Sequence, residues 1–290
     1  MTGSSACACG GSRSANGNCS VADDGGLSLQ CVGAWTQDKH DYLRRYIGAT
    51  RAVRARYLPP EGTGGAAFID LFAGPGRARV RSNGDLIEGS PFLALEHESA
   101  PFTRVVLCEL DAGNVAALRA RTAGYGERVR IVAGDCNDNL TDIVRLVPAY
   151  GLNVALVDPF GAKALHWSTL ERLGRFRRMD FLVHFPTMAI RRNLKKTPGY
   201  ADLIDRMMGT DEWRAEVNGE RDIHRLVDCL LRQLQTLGYE GDQSKAMPIR
   251  TGDNKLLYHL VFASKHDRGS KIWESVTRIE AGGQRGLDFG

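Results

Sequence analysis

The stretch Phe68-Ile69-Asp70-Leu71-Phe72-Ala73-Gly74-Pro75-Gly76 decides the fold. Ala66 and Ala67 lead into it, so an apolar run carrying one acid stops abruptly at a glycine-rich turn. A short, continuous apolar run of this kind reads as a strand buried on both faces. Glycine in the turn lets backbone approach a neighbour closely at no steric cost. In open α/β sheets, nucleotide-like ligands sit where such a strand ends. Asp70 would be costly to bury unpaired, so it is expected to accept hydrogen bonds at the strand's end. The third glycine and spacing of the dinucleotide fingerprint are absent, and no Gly-Lys-Ser/Thr follows, which excludes a Walker loop. Taken alone, the stretch also fits an ordinary strand-to-loop transition.

Outward from it, apolar runs recur at 105–109, 129–132, 154–157 and 181–185, separated by helical stretches at 114–121, about 139–147 and about 168–173. This rhythm predicts an α/β fold, a mostly parallel, doubly wound, Rossmann-like sheet. Between the first two strands, a loop carries Arg77, Arg79 and Arg81, and Ser90-Pro91 opens a helix as cap and first helical residue. A final strand pair has Leu256 to Ala263 as its clearest member, after a helix at about 222–237. Upstream, a helix from Trp35 to about Tyr57, capped by Thr36 and stopped by Pro59-Pro60, carries Arg44, Arg45, Arg51, Arg54 and Arg56. Those arginines form a solvated face or contact a phosphate backbone. Residues 187–222 read as polar, basic and irregular, an insertion facing substrate or partner. Residues 1–34, rich in Gly, Ser, Ala and Asn, read as a disordered tail, leaving 35–285 as the folded domain.

A chain of 290 residues suffices for one large α/β domain. The net charge of +4 permits an anionic partner without demanding one. The sequence contains no apolar run long enough to span a membrane and no secretory pattern at Met1-Thr2-Gly3-Ser4, so a cytoplasmic location is expected. Of seven cysteines, Cys108, Cys136 and Cys229 read as buried thiols, while the spacing of Cys7, Cys9, Cys19 and Cys31 is not that of a zinc ribbon or finger. No metal is expected.

The informative pattern is where the acids fall. Asp70, Glu109, Asp111, Asp135 and Asp158 all sit at or just beyond strand ends, which form one rim in this architecture. An acid at the second strand is placed for ribose hydroxyls, Glu109 first and Asp111 as alternate. Asp135, followed by Cys136, is placed for an exocyclic amine of an adenine-type base. Phe72, Ala73, Gly74 and Gly76 would underlie the rest of the cofactor. No lysine or phosphate cradle accompanies them, so a cofactor without phosphates fits better than NAD or ATP, and S-adenosylmethionine meets these requirements. Asp158-Pro159-Phe160-Gly161 can hold a planar amine, the acid and proline carbonyl accepting its N–H groups and the ring stacking on its face. It can equally be a turn with Gly161 at positive φ.

Together, residues 68–76, Gly89-Ser90-Pro91, Gly134-Asp135-Cys136-Asn137, Val157 to Gly161 and the late Tyr258, Lys265 and His266 resemble the three-Cys-motif partner protein family, class I S-adenosylmethionine-dependent methyltransferases. The resemblance covers roughly 35–280. It implies a class I methyltransferase fold with the cofactor at the first-strand turn, and a partner protein bearing three cysteines, which the tail cysteines here are not. The Asp158 element is also similar to the Asp-Pro-Pro-Tyr motif of amino-group methyltransferases acting on nucleobases, from which it departs by one proline and a Phe-Gly ending. The expected activity is methyl transfer to a nitrogen on a nucleic-acid base, with Asp158 and Phe160 catalytic and Pro159, Arg191 and Arg192 binding substrate. The competing expectations are a small-molecule or peptide acceptor, and a cofactor-binding partner subunit without activity of its own. His184 and His166 are candidate proton acceptors, with a satisfied structural histidine as the first reading of each.

Overall fold

The computed structural model describes residues 12–13, 19–96, 99–217, 222–240, 244–251 and 254–279. The strands are β1 (Ser12–Arg13), β2 (Cys19–Ala22), β3 (Ser28–Val32), β4 (Ala66–Asp70), β5 (Arg77–Val80), β6 (Leu86–Glu88), β7 (Arg104–Glu109), β8 (Val129–Ala133), β9 (Leu152–Val157), β10 (Met179–Phe185), β11 (Ser244–Arg250) and β12 (Leu256–Ala263). The helices are α1 (Trp35–Ala49), α2 (Arg51–Ala55), α3 (Ser90–Leu95), α4 (Ala112–Thr122), α5 (Leu140–Leu146), α6 (Trp167–Gly174), α7 (Thr187–Leu194), α8 (Tyr200–Met208), α9 (Trp213–Glu216), α10 (Arg225–Thr236) and α11 (Asp267–Thr277). None of the described helices is long and apolar enough to cross a membrane.

The main sheet has the order β11-β12-β10-β9-β4-β7-β8. Strands β10, β9, β4, β7 and β8 run parallel, and β12 lies antiparallel between β10 and β11. This is the doubly wound, Rossmann-like α/β sheet that the spacing of the apolar runs predicts. The decisive stretch is its central strand: Ile69 of β4 sits opposite Val106 of β7 and Ala155 of β9. Every residue of β4 is buried because both faces are covered. Ala67 and Ile69 point into one apolar layer with Phe181, Ile204, Met208 and Leu226. Ala66 and Phe68 point into the other with Leu43, Tyr46, Leu182 and Trp273. From β4 the chain moves outward through β7 and β8, then returns to β9 on the other side of β4. The C-terminal ends of β4 and β9 therefore flank the switch point, where open α/β sheets take their ligands.

Several local expectations are corrected. Residues 19–34 do not form a structureless tail: β2 and β3 pair with each other, and β3 pairs in parallel with β5. The order β1-β2-β3-β5-β6 makes a second, small sheet, in which Cys19, Leu29 and Cys31 are buried. The Gly- and Ser-rich composition hid a five-residue alternation in β3, and its partner β5 lies in the segment read as a loop. Residues 1–11, with Cys7 and Cys9, lie outside the described residues. Thr36 does not cap α1, which begins at Trp35 behind Ala34 and breaks at Thr50 before α2. Ser90 is inside α3, behind Gly89 as the cap.

The basic N-terminal helix is not a uniform solvated face. Arg54 is fully buried, donates to the carbonyls of Ala100 (2.6 Å) and Ile47 (3.1 Å), and lies over the Phe102 ring. Arg45 pairs with Asp41 and donates to Ile279 O (2.7 Å) near the end of α11. Of the expected 187–222 insertion, residues 218–221 lie outside the described residues. The described residues 187–217 are not irregular: α7, α8 and α9 fill most of them and bury Ile190, Ile204, Met208 and Trp213 against the main sheet. Their apolar spacing is sparse per turn, and only the folded layer shows which face it serves.

Candidate active site

The turn after β4 is built by its own sequence. Asp70, fully buried at the strand's end, accepts from Phe72 N (3.1 Å) and Ser90 Oγ (2.6 Å). Burial pushes its carboxyl up to about 7, against the pull of those two donors. Asp70 thus ties the turn to the start of α3 and is a structural acid. Gly74 and Gly76 both lie at positive φ (+61° and +84°). A Cβ on Gly76 would come within 2.9 Å of the Phe92 ring, and one on Gly74 within 3.0 Å of Gln30 Oε1. Both the conformation and the packing therefore demand glycine.

Glu109, at the end of β7 and largely buried, holds that turn from the side: one carboxylate oxygen accepts from Gly74 N (2.8 Å), the other from Asp111 N (2.8 Å) and Asn114 Nδ2 (3.4 Å). Burial raises its carboxyl above the usual range, and the backbone donors partly offset this. Asp111 caps α4 by accepting from Asn114 N (2.9 Å). Asp135, half-buried after β8, accepts from the backbone and side-chain nitrogens of Asn137 (both 2.7 Å). Cys136 is buried beside Ala164, and burial pushes its thiol well up, so it is a packing residue in an inert state.

A cleft of about 930 Å³ opens at the switch point. Phe72, Ala73 and Gly76 of the first turn line it, as do Asp158, Pro159, Phe160, Arg191 and Arg192. The rim acids Glu109, Asp111 and Asp135 are not on its wall; they continue the strand ends to the side of β4. The expected site residues thus fall in two adjoining groups that share the glycine turn. Gly161 is extended (φ 171°), so the Asp158 segment is not a positive-φ turn. Phe160 is half-exposed on the cleft.

Two partners of Asp158 complete the site, His184, which the sequence offers, and Lys39, which it does not. Lys39 of α1, 9% exposed, forms an ion pair with Asp158 Oδ2, and His184 at the end of β10 bonds through Nδ1 to Asp158 Oδ1. Burial works against the Asp158 charge, yet Lys39 and His184 hold its carboxyl well below the usual carboxylate range. His184 meets the Tyr258 ring edge-on at 4.1 Å between centroids. His184 carried a signal in the sequence, since it ends the strand next to the one that ends in Asp158. Lys39 carried none, because a lysine in a basic helix looks like any other until α1 is docked. His166 is not on the cleft wall; its backbone N–H donates to Asn137 Oδ1 (2.9 Å).

No protein-family model matches the sequence, and no curated protein matches it significantly. Among solved structures, the chain is similar to an O-methyltransferase from Bacillus cereus in complex with SAH, at 14% identity and TM-score 0.43, covering 78% of this chain and 80% of that one. It is similar to cofactor-bound Rv0187 from MTB, at 17% identity and TM-score 0.41, covering 79% and 80%. It is also similar to M. jannaschii TYW2 in complex with AdoMet, at 11% identity and TM-score 0.39, covering 85% of each chain.

Proposed function

We propose that this protein transfers a methyl group from S-adenosylmethionine to a nitrogen on a nucleic-acid base. The observation that carries the reading is the glycine turn at the end of β4, held by Glu109 from the neighbouring strand and opening directly onto the Asp158 cleft. The donor set fits this cofactor. Among the described residues, Glu109, Asp111 and Asp135 accept only from backbone and asparagine N–H groups, with no lysine or arginine hydrogen-bonded to them. A carboxylate has about four lone-pair sites, so Glu109 keeps capacity for a hydroxyl. Such a rim suits ribose hydroxyls and an adenine amine and repels phosphates. Glu109 and Asp111 would hold the ribose, Asp135 the base, and residues 72–76 the amino-acid portion. S-adenosylmethionine supplies an electrophilic methyl group, and the protein's contribution is to orient acceptor and donor.

The acceptor side favours a planar, anionic partner. Phe160 offers a half-exposed ring for stacking on a base. Arg191, Arg192 and Lys196 from the end of β10 onward, with Arg77 and Arg81 opposite, put cations around the same cleft. The resemblance of the motifs also implies a three-Cys-motif partner protein.

The test is transfer of labelled methyl from S-adenosylmethionine to pools of tRNA, DNA, peptides and small metabolites between 50 and 200 mM salt. Label entering nucleic acid, with a log–log salt slope that falls by about 1.4 in an Arg191→Ala/Arg192→Ala variant, is expected for two lost single-strand phosphate contacts. Label entering only peptides or metabolites, insensitive to salt, would sink the nucleic-acid acceptor while keeping the enzyme.

A further inference from the structure

We propose that His184 is the group that takes the proton from the methyl acceptor, with Asp158 orienting its ring and Lys39 holding Asp158 in place. This inference rests on the methyltransferase reading above and replaces direct amine capture by Asp158. Strands β9 and β10 are parallel neighbours with Val157 opposite Val183, so the next residues, Asp158 and His184, emerge side by side at the switch point. Both oxygens of Asp158 are already engaged by fixed partners: Oδ1 is bonded to His184 Nδ1 and Oδ2 to Lys39 Nζ, from two different elements. An amine would reach only the remaining lone pairs of a carboxylate whose direction those two partners set. The arrangement instead does what an orienting carboxylate does. An ionised Asp158 keeps the proton on Nδ1, which leaves Nε2 with a free lone pair. Tyr258, packed edge-on against the ring, restricts its rotation.

Position separates this from a buried structural ion pair. His184 keeps 20% of its side chain exposed and lines the cleft together with Phe160 and the first turn. The charged and titratable groups that line the cleft with it are Asp158 beyond β9, Lys39 and His40 from α1, Tyr258 from β12, Arg77 and Arg81 from β5 and its end, and Arg191, Arg192, Lys195 and Lys196 from α7 and its end. His40 is neutral there, since burial pushes it down to about 3. Tyr258 is neutral too, because burial and the nearby Asp158 push its hydroxyl well up.

The step balances without a further reactant. The acceptor nitrogen's lone pair bonds to the methyl carbon, and the C–S pair stays on sulfur, converting sulfonium to thioether. The N–H pair returns to the nitrogen as the proton passes to Nε2 of His184. The imidazolium then loses that proton to water through the open cleft. His184 is the catalytic residue; Asp158 and Lys39 are positioning residues.

The test is side-chain ¹H–¹⁵N spectroscopy of the full chain's histidines from pH 4 to 9, read beside S-adenosylhomocysteine calorimetry and kcat. The expected result is a His184 ring with its proton on Nδ1 in the wild type, a tautomer preference that is lost in Asp158→Asn. His184→Asn, which keeps a donor toward Asp158, is expected to lose about 100-fold or more in kcat. It should also lose the acidic limb of the pH profile, with S-adenosylhomocysteine affinity within about threefold. His184→Gln, checked for folding by the same calorimetry, is the second variant. A proton on Nε2 in the wild type, or a tautomer indifferent to Asp158→Asn, overturns the proposal. So does a His184→Asn variant with wild-type kcat and pH profile. Wild-type chain that does not bind S-adenosylhomocysteine overturns the cofactor reading instead, and leaves the spectroscopic answer standing.

Discussion

Replacing Arg121 tests how the N-terminal sheet is tied to the glycine turn. Arg121 lies in α4 with its side chain 6% exposed. Nη1 donates to the carbonyls of Ser28 (2.7 Å) and Pro75 (2.6 Å), and Nη2 pairs with Asp23 (2.5 Å). One guanidinium therefore joins β3, the glycine turn and the β2–β3 loop. Hydrogen bonds from a charged donor contribute about 1.5–3 kcal/mol each, but the three share one side chain and Asp23 is solvated, so Arg121→Ala is expected to cost about 3 kcal/mol in all. That corresponds to a factor of about 150 in the folding equilibrium and a midpoint lower by about 6–12 °C for a chain of this size. Urea and thermal melts followed by circular dichroism give the global value, and amide exchange gives the local one. Exchange is expected to rise first across Ser28–Val32 and at the turn. A loss below about 1 kcal/mol, with β3 still protected, would refute the idea that this contact secures the sheet over the turn.

Gly76→Ala places a Cβ at positive φ and within 2.9 Å of Phe92, so it is expected to cost about 2 kcal/mol in urea melts and to weaken S-adenosylhomocysteine binding. Tyr46→Phe removes the buried hydroxyl that donates to Asp180 (2.6 Å), and a loss of about 2 kcal/mol is expected at neutral pH by denaturant titration. For His40, burial pushes the folded value down to about 3 from an ordinary 6.5, so the folded state resists the proton that the unfolded chain accepts. Stability should therefore fall as pH drops below about 6.5, by up to about 1.4 kcal/mol per pH unit, and His40→Gln should flatten that decline between pH 6 and 4 in urea titrations.

The sheet was legible because its strands are parallel and covered on both sides. Val105 to Glu109, Val154 to Val157 and Phe181 to Phe185 announce themselves as apolar runs. The rim acids were legible for the same reason, since each interrupts or ends an apolar run. The short strands of the small sheet were not: β3 and β5 are five and four residues long, rich in Ser, Gln and Arg, and take shape by pairing with each other and with β2 and β6. The partners of Asp158 were half legible. His184 follows from the β9–β10 register, but Lys39 comes from a helix 119 positions earlier, joined only by tertiary packing. The same packing turns Arg54, one of five arginines read as a basic face, into a buried donor.

The most direct measurement is calorimetric titration of S-adenosylhomocysteine into the full chain and into Glu109→Ala and Asp158→Asn. Glu109 holds Gly74 N and Asp111 N at the end of β7, whereas Asp158 stands on the acceptor side of the cleft. The account predicts binding by the wild type, at least tenfold weaker binding by Glu109→Ala, a loss of about 1.4 kcal/mol, and near-unchanged affinity in Asp158→Asn. Absence of binding to the wild type at millimolar ligand, or equal affinity in wild type and Glu109→Ala, would contradict it.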